Sequence, residues 1–103
     1  MEENKKMEFT EEETLINFAV ISSNFAQVRK LLSITATNLC TYLLKFYPDV
    51  ISPTYPQGIY YHERVKNTVP MLFLNVLFKV VGKSEVLRVI KIIYITNKTE
   101  GEI

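Results

Sequence analysis

The residues best suited to chemistry lie close together in the segment His62-Glu63-Arg64-Val65-Lys66. An imidazole beside a carboxylate can move protons near neutral pH, and an Arg and a Lys two positions apart can hold a phosphate group. If this segment is a strand, alternation places His62, Arg64 and Lys66 on one face. The same residues also suit an ordinary solvent-exposed strand face, so the pattern leaves both interpretations open.

A second group of candidates lies towards the C-terminal end, where Lys91 and Tyr94 stand in an isoleucine-rich run. Residues three apart on a regular strand point to opposite faces, so these two side chains share a site only if a bulge intervenes. A tyrosine in such a run is typical of a core or rim residue as well as of a general base. The catalytic candidates that the sequence offers are Glu63, Arg64, Lys66 and Tyr94.

Other kinds of site lack their sequence signatures. The single histidine and single cysteine do not give metal-ligand spacing, and the three glycines are too scattered for a phosphate-binding loop. We therefore expect no metal and no cofactor. Cys40 has no partner for an internal disulfide, which suits a reducing compartment. Its place beside Leu39 and Leu43 predicts a small core residue.

Length and composition indicate one modest globular domain. The chain has 103 residues, of which 48% are hydrophobic and 22% charged. The net charge of +1 does not by itself indicate nucleic-acid binding. Residues 1–13 carry six Glu and two Lys, whereas residues 60–98 carry seven Lys and Arg against two Glu. This charge asymmetry has two possible explanations: an anionic partner binds the basic half, or the lysines keep exposed strands soluble.

Two features of the sequence predict a cytoplasmic location. The N-terminus is acidic and lacks an apolar stretch, which argues against a secretory signal. The most apolar segment, Val69 to Val81, is interrupted by Asn75 and Lys79 and is too short to span a bilayer as a helix. We therefore predict a soluble cytoplasmic protein.

Two helices are predicted in the N-terminal half. Thr10 and Glu13 have the spacing of a capping box, and apolar residues follow at helical spacing. Asn24 can cap a second, long helix whose apolar stripe continues to Phe46, and Pro48 ends it. Two helices joined by the short link at Ser23-Asn24 form an antiparallel hairpin, and the apolar face of this hairpin needs a sheet to cover it.

Four segments are predicted as strands from their aromatic or β-branched content: Met7–Phe9, 59–65, 72–81 and 85–96. Gly82 would supply the tight turn of a hairpin between the last two. In the last segment Glu85, Arg88 and Lys91 recur every three residues, as they would on a helix face. Its many Val and Ile residues nevertheless favour a strand, and its nearly continuous apolar run suggests burial on both faces.

This order of elements resembles the small toxins of the RelE/ParE superfamily. The run Met7-Glu8-Phe9-Thr10-Glu11-Glu12 resembles the first strand of the family and its acidic helix start. Phe46-Tyr47-Pro48-Asp49 resembles the exit from its second helix. Asn75–Val80 and Val86–Ile90 resemble its central hairpin. Each segment is a degenerate pattern, and their order along the chain carries the resemblance.

The resemblance implies an α+β fold of the order β-α-α-β-β-β. A short N-terminal strand leads into an antiparallel helix hairpin, which packs on a small, mostly antiparallel sheet. Residues 7–96 would form this single domain, with residues 1–6 as a flexible tail and residues 97–103 as a second tail.

The resemblance also implies a function. Members of the ParE branch inhibit DNA gyrase by protein–protein binding, whereas RelE-like members cleave mRNA on the ribosome with Arg, Lys, a carboxylate and a C-terminal His or Tyr. Here Asn75 stands where the family often has Arg, and Tyr94 falls roughly where the C-terminal residue would lie. The chain therefore looks like a ParE-like toxin of a type II toxin–antitoxin pair. Its cognate antitoxin would cover the helix hairpin and the sheet edge.

Two alternatives stay open. The first is a RelE-like, ribosome-dependent mRNA endonuclease that uses Arg64, Lys66 and Tyr94 together with Glu63 or His62. The second is a non-toxic structural or protein-interaction module of the same fold, which would form homodimers through its hairpin or sheet edge.

Overall fold

The described part of the chain is entirely helical apart from its connections. The structure, a computed structural model, describes residues 9–50 and 55–101. Its helices are α1 (Glu11–Ala19), α2 (Ser22–Leu31), α3 (Ala36–Phe46), α4 (Tyr55–Arg64), α5 (Met71–Val81) and α6 (Lys83–Gly101). Within those two ranges there is no sheet, and the strand-like pairing is an isolated antiparallel bridge between Ile21 and Thr68.

The six helices pack in a closed ring. α1 contacts α6, α6 contacts α5, α5 contacts α3, α3 contacts α4, α4 contacts α2, and α2 contacts α1. α2 also packs on α6, so the ring is filled across its middle. The first and last helices of the described chain are therefore neighbours. Surface ion pairs also link them, with Glu11 Oε2 and Lys91 Nζ 2.7 Å apart and Glu12 Oε2 and Lys83 Nζ 2.7 Å apart.

The predicted α+β fold, with its helix hairpin on a small antiparallel sheet, is wrong. The three C-terminal segments predicted as strands, 59–65, 72–81 and 85–96, fall almost entirely within α4, α5 and α6. Strand propensity is a weak preference of fractions of a kcal/mol per residue, and packing readily overrides it. The predicted strand Met7–Phe9 lies mostly outside the described residues, and Phe9 belongs to neither a helix nor a strand.

Helix α5 shows why the apolar segment 72–81 could be predicted as a strand. A helix that is surrounded by neighbours is apolar on most of its circumference and so loses its amphipathic period. Phe73, Leu74, Val76 and Leu77 are fully buried, and Asn75 between them is half-buried. Along the whole helix, Met71 and Lys79 are the exposed positions.

Helix α6 buries one face despite its β-branched content. The buried residues follow the spacing i, i+3, i+4, i+7: Val86, Val89, Ile90 and Ile93. On the exposed side Glu85 and Arg88 form an i,i+3 ion pair at 2.6 Å. The three-residue recurrence of charge was therefore the correct signal. The helix continues through the start of the segment predicted as a C-terminal tail, to residue 101.

The predicted start of the first helix is confirmed. Glu13 N–H donates to Thr10 Oγ1 at 3.1 Å, while Thr10 N–H donates to Glu13 Oε1 at 2.9 Å, which is a complete capping box. Three carboxylates in the first turn also favour the positive end of the helix dipole. The sequence signal works here because the cap is built from residues three apart.

The predicted long second helix is instead two helices. α2 ends at Leu31 and α3 begins at Ala36, with Ser33 in the left-handed region at φ +61° between them. Thr35 caps α3 by accepting the Asn38 N–H at 3.0 Å. An apolar stripe at helical spacing runs through both helices and hides this break.

At the other helix boundaries the sequence prediction agrees with the structure at one position and differs from it at two. Asn24 does not cap α2, because its Nδ2 donates to Phe18 O at the end of α1, at 2.9 Å. α3 ends at Phe46, as the nearby Pro48 predicts. Gly82 joins two helices rather than two strands, and its φ of +109° is one that a residue with a Cβ rarely adopts.

One hydrophobic core is shared by all six helices. Phe25 of α2 and Phe73 of α5 lie at its centre, both fully buried, with ring centroids 5.8 Å apart. Cys40 of α3 is also in the core and 3% exposed, and burial raises the pKa of its thiol. The cysteine is therefore a packing residue, as its sequence neighbours predict.

The core assignment can be tested at Phe25. We expect Phe25→Ala to lower the free energy of unfolding by about 3–5 kcal/mol, because it leaves a cavity among fully buried side chains. Phe9→Ala is the matched control, since Phe9 is 65% exposed, and it should change stability by less than about 0.5 kcal/mol. Urea denaturation followed by far-UV circular dichroism measures both, and equal losses would contradict the assigned core.

Candidate functional site

A buried ion pair joins the last turn of α2 to the last turn of α4. Arg29 Nε donates to Glu63 Oε2 at 2.8 Å and Arg29 Nη2 donates to Glu63 Oε1 at 2.9 Å. The two side chains are only 5% and 4% exposed. A bidentate contact of this kind is both strong and directional, so it fixes how the two helix ends sit against each other.

Arg29 also holds the connection between α2 and α3. Its Nη1 donates to the main-chain oxygen of Ile34 at 2.9 Å, so three of its five N–H groups have acceptors within the described residues. The hydrogen bonds to Glu63 raise the pKa of Arg29 and outweigh the opposing effect of burial. The guanidinium is therefore charged at every pH at which the protein would be studied.

A cleft of about 310 Å³ opens beside this ion pair. We call it the basic cleft, and its lining residues are Ala26, Arg29, Lys30, Thr35, Ala36, Tyr60, Glu63 and Arg64. They come from the C-terminal end of α2, the N-terminal end of α3 and the C-terminal end of α4. Three helix ends meet there because α4 packs against both α2 and α3.

The basic cleft carries an excess of positive charge. Arg29 and Glu63 offset each other, which leaves the exposed Lys30 and Arg64 without a carboxylate partner among the described residues. The N-terminal end of α3 adds partial positive charge, whereas the C-terminal ends of α2 and α4 add partial negative charge, so the positive excess comes from the side chains of Lys30 and Arg64. The Arg64 guanidinium also makes a cation–π contact, with its Cζ 4.8 Å from the Tyr60 ring centroid.

The end of α4 forms an exposed aromatic and cationic surface next to the cleft. We call it the α4-terminal surface and define it by Tyr60, Tyr61, Arg64, Val65 and Lys66. The two tyrosines are 39% and 47% exposed, and Val65 is 65% exposed. Lys66 Nζ lies 5.7 Å from the Tyr61 ring centroid, so each cation of this surface has an aromatic neighbour.

The structure brings two of the four predicted site residues together. Glu63 and Arg64 line the same cleft, and Lys66 lies close by on the α4-terminal surface. The predicted alternation is wrong, however, because residues two apart on a helix point to nearly opposite sides. Arg64 therefore shares its face with Tyr60, four residues earlier, rather than with His62 or Lys66.

The fourth predicted residue lies elsewhere. Tyr94 is on α6, where its ring packs edge-to-face on Phe18 of α1 with centroids 5.2 Å apart. Lys98 Nζ lies 5.9 Å from the same ring. Tyr94 does not line the basic cleft, and Lys91 is paired with Glu11. A nuclease site that combines Arg64 with Tyr94 is therefore not assembled in this arrangement.

His62 and Asn75 are the two other residues that were considered from the sequence. The His62 ring packs edge-to-face on the Phe73 ring, with centroids 5.6 Å apart, and its main-chain oxygen accepts the Ser22 hydroxyl at 2.6 Å. Asn75, at the position where the toxin family often has Arg, is half-buried on α5.

The sequence reasoning missed Arg29, Lys30 and Tyr60. A signal for Arg29 was available, because it falls four residues after Phe25 and so stands within the apolar stripe of α2. A charged residue on a core-facing stripe requires a buried partner. The identity of that partner, Glu63, depends on how α4 packs and could not be read from spacing.

The described ranges also lack a metal-binding cluster and a membrane-spanning helix. Within residues 9–50 and 55–101 no group of three or more His, Cys, Asp or Glu side chains could hold a metal ion. None of the helices in the same ranges is both long enough and apolar enough to cross a membrane. The cytoplasmic location stays a prediction.

Comparison with known proteins found no matching family model, no matching curated protein and no matching solved structure.

The buried ion pair gives a stability test. We expect Arg29→Met to lower the free energy of unfolding by about 3–5 kcal/mol, because it leaves the Glu63 carboxylate buried without its counter-ion. The double variant Arg29→Met/Glu63→Leu should recover most of that loss, since it leaves no buried charge. Arg88→Met, which breaks the exposed pair with Glu85, serves as the control and should leave the urea midpoint unchanged. A double variant no more stable than Arg29→Met would mean that packing, rather than charge, dominates at this position.

Proposed function

We propose that this protein is a small helical binding domain whose α4-terminal surface contacts an acidic segment of a partner protein. The observation that carries the proposal is the stacked pair Tyr60–Arg64 at the mouth of the basic cleft. Tyrosine and arginine are enriched among the residues that dominate protein–protein affinity. A guanidinium already held on a ring loses less conformational freedom on binding than a free side chain does.

The charge distribution supports an acidic partner. On the α1–α6 side of the ring the cations Lys83, Arg88 and Lys91 each have a glutamate partner. Around the basic cleft Lys30, Arg64 and Lys66 have none within the described ranges. An approaching acidic segment would supply the missing counter-charges, and complementary charge raises the association rate and the specificity of such contacts.

A protein partner is favoured over a nucleic acid. Nucleic-acid binding draws most of its affinity from many phosphate contacts, and proteins that rely on it carry a strong basic excess. This chain has a net charge of +1, and its unpaired cations at this site are few. A nucleic-acid ligand is therefore the less favoured alternative, and nuclease treatment distinguishes it from a protein partner.

The toxin hypothesis stays a prediction beside this proposal. It came from the order of sequence segments, and it implied a strand–helix hairpin–sheet fold that the described residues do not form. The fold thus gives it no independent support. A ParE-like gyrase inhibitor would still be a binding protein, so the two hypotheses differ in the target and in the consequence of expression.

The proposed surface can be tested with two cations that share a similar setting. Arg64 and Lys98 are both exposed, and both lie near a tyrosine ring. We expect Arg64→Ala to weaken the binding of a co-purifying partner to the tagged full chain by about 2 kcal/mol, roughly 30-fold in Kd. Lys98→Ala should leave this binding unchanged. The measurement is quantitative affinity purification from the native host, with nuclease treatment, followed by binding of the purified partner. Equal recovery with both variants, or loss of the bound material on nuclease treatment, would contradict the proposal.

Controlled expression in bacteria separates the binding domain from the toxins. We expect leucine and thymidine incorporation to continue while the protein accumulates, because the binding-domain proposal does not require arrest of translation or replication. An early fall in thymidine incorporation would instead support gyrase inhibition. An early fall in leucine incorporation would instead support mRNA cleavage.

A further inference from the structure

We infer that the basic cleft binds a phosphate group carried on a side chain of the partner's acidic segment. This inference rests on the proposed function and names the chemical group that the site would recognise. It depends on three properties of the cleft: its charge, its ordered donors and its room.

The charge of the cleft matches a phosphate monoester. Lys30 and Arg64 contribute two positive charges, while both Glu63 oxygens are occupied by Arg29. A phosphate monoester carries a charge of about −1.5 to −2 at pH 7, whereas a side-chain carboxylate carries −1. A single carboxylate would therefore leave one of the two cations without compensation.

Several donors at the cleft are held in place before any ligand arrives. Arg29 is immobilised by Glu63 and by the Ile34 carbonyl, and two of its N–H groups have no acceptor among the described residues. Arg64 is held on Tyr60. At the start of α3 the Thr35 hydroxyl accepts the Asn38 N–H, which leaves the other first-turn N–H groups available to an anion.

The cleft has room for the group and for part of the residue that carries it. Its volume of about 310 Å³ is roughly ten times the share of one water molecule in the liquid. A tetrahedral phosphate offers three acceptor oxygens in different directions, which suits donors arriving from three helix ends. A planar carboxylate offers two oxygens in one plane.

The test is a titration followed by ¹⁵N–¹H NMR at constant ionic strength with four probes: inorganic phosphate, O-phosphoserine, adenosine monophosphate and acetate. We expect saturable shifts of the Lys30, Ala36 and Arg64 amides with phosphate and O-phosphoserine, and much weaker shifts with acetate. Arg64→Ala and Lys30→Ala should each weaken O-phosphoserine binding by roughly tenfold or more, because each removes a charge-assisted contact. Both residues are exposed, so the variants should fold. Lys98→Ala is the matched control and should bind as the wild type does.

Three outcomes would overturn the inference. Absence of saturable shifts, or equal shifts with acetate, would show that the cleft does not select phosphate. Insensitivity to Arg64→Ala would place any binding elsewhere on the protein. Tighter binding of adenosine monophosphate than of O-phosphoserine would assign the cleft to a nucleotide. If phosphate fails while the co-purified partner still depends on Arg64, the proposed function survives and the partner uses carboxylates.

Discussion

The arrangement of the candidate site depends on one buried contact, the bidentate ion pair between Arg29 and Glu63. A charge placed on the core side of α2 must find its opposite, and that requirement determines where the end of α4 packs. The same guanidinium holds the α2–α3 connection through the Ile34 carbonyl. Three chain segments thus converge on one side chain, and the basic cleft is the space left between them. A feature that maintains the fold also positions the candidate site.

Two pairs of cations in this protein have different surroundings. Lys83 and Lys91 are paired with glutamates of α1 and join helices, whereas Arg64 and Lys66 at the end of α4 lie near tyrosine rings and face solvent. The sequence indicated this second group, because Arg64 and Lys66 stood out as candidates for phosphate contact. It could not supply the rest of the cleft, since Arg29 and Lys30 lie more than thirty positions earlier and join the site only through helix packing.

The correct predictions rest on local signals, but a local signal also failed where a packing neighbour competed for it, as at Asn24, whose side chain donates to Phe18 O. The Thr10 capping box and the helix end before Pro48 were correct because each is determined within a few residues. The sheet was wrong at α5 because an enclosed helix and a buried strand both give a continuous apolar run, and at α6 because its Val and Ile residues favoured a strand although the spacing of its charges indicated a helix. The break at Ser33 was missed because the apolar stripe continues across it, and a serine rarely signals a positive φ.

The pairing of α1 with α6 affects the order in which this molecule can form. Glu11 and Lys91 are eighty positions apart and 2.7 Å apart in space, so their contact closes nearly the whole described chain into a loop. Most other helix contacts close shorter loops and carry a smaller entropic penalty. During synthesis α1 is made before the other described helices, yet its main packing partner, α6, is the last of them to be made. We therefore expect the ring to close late in folding, with α1 as the helix left longest without its main packing partner.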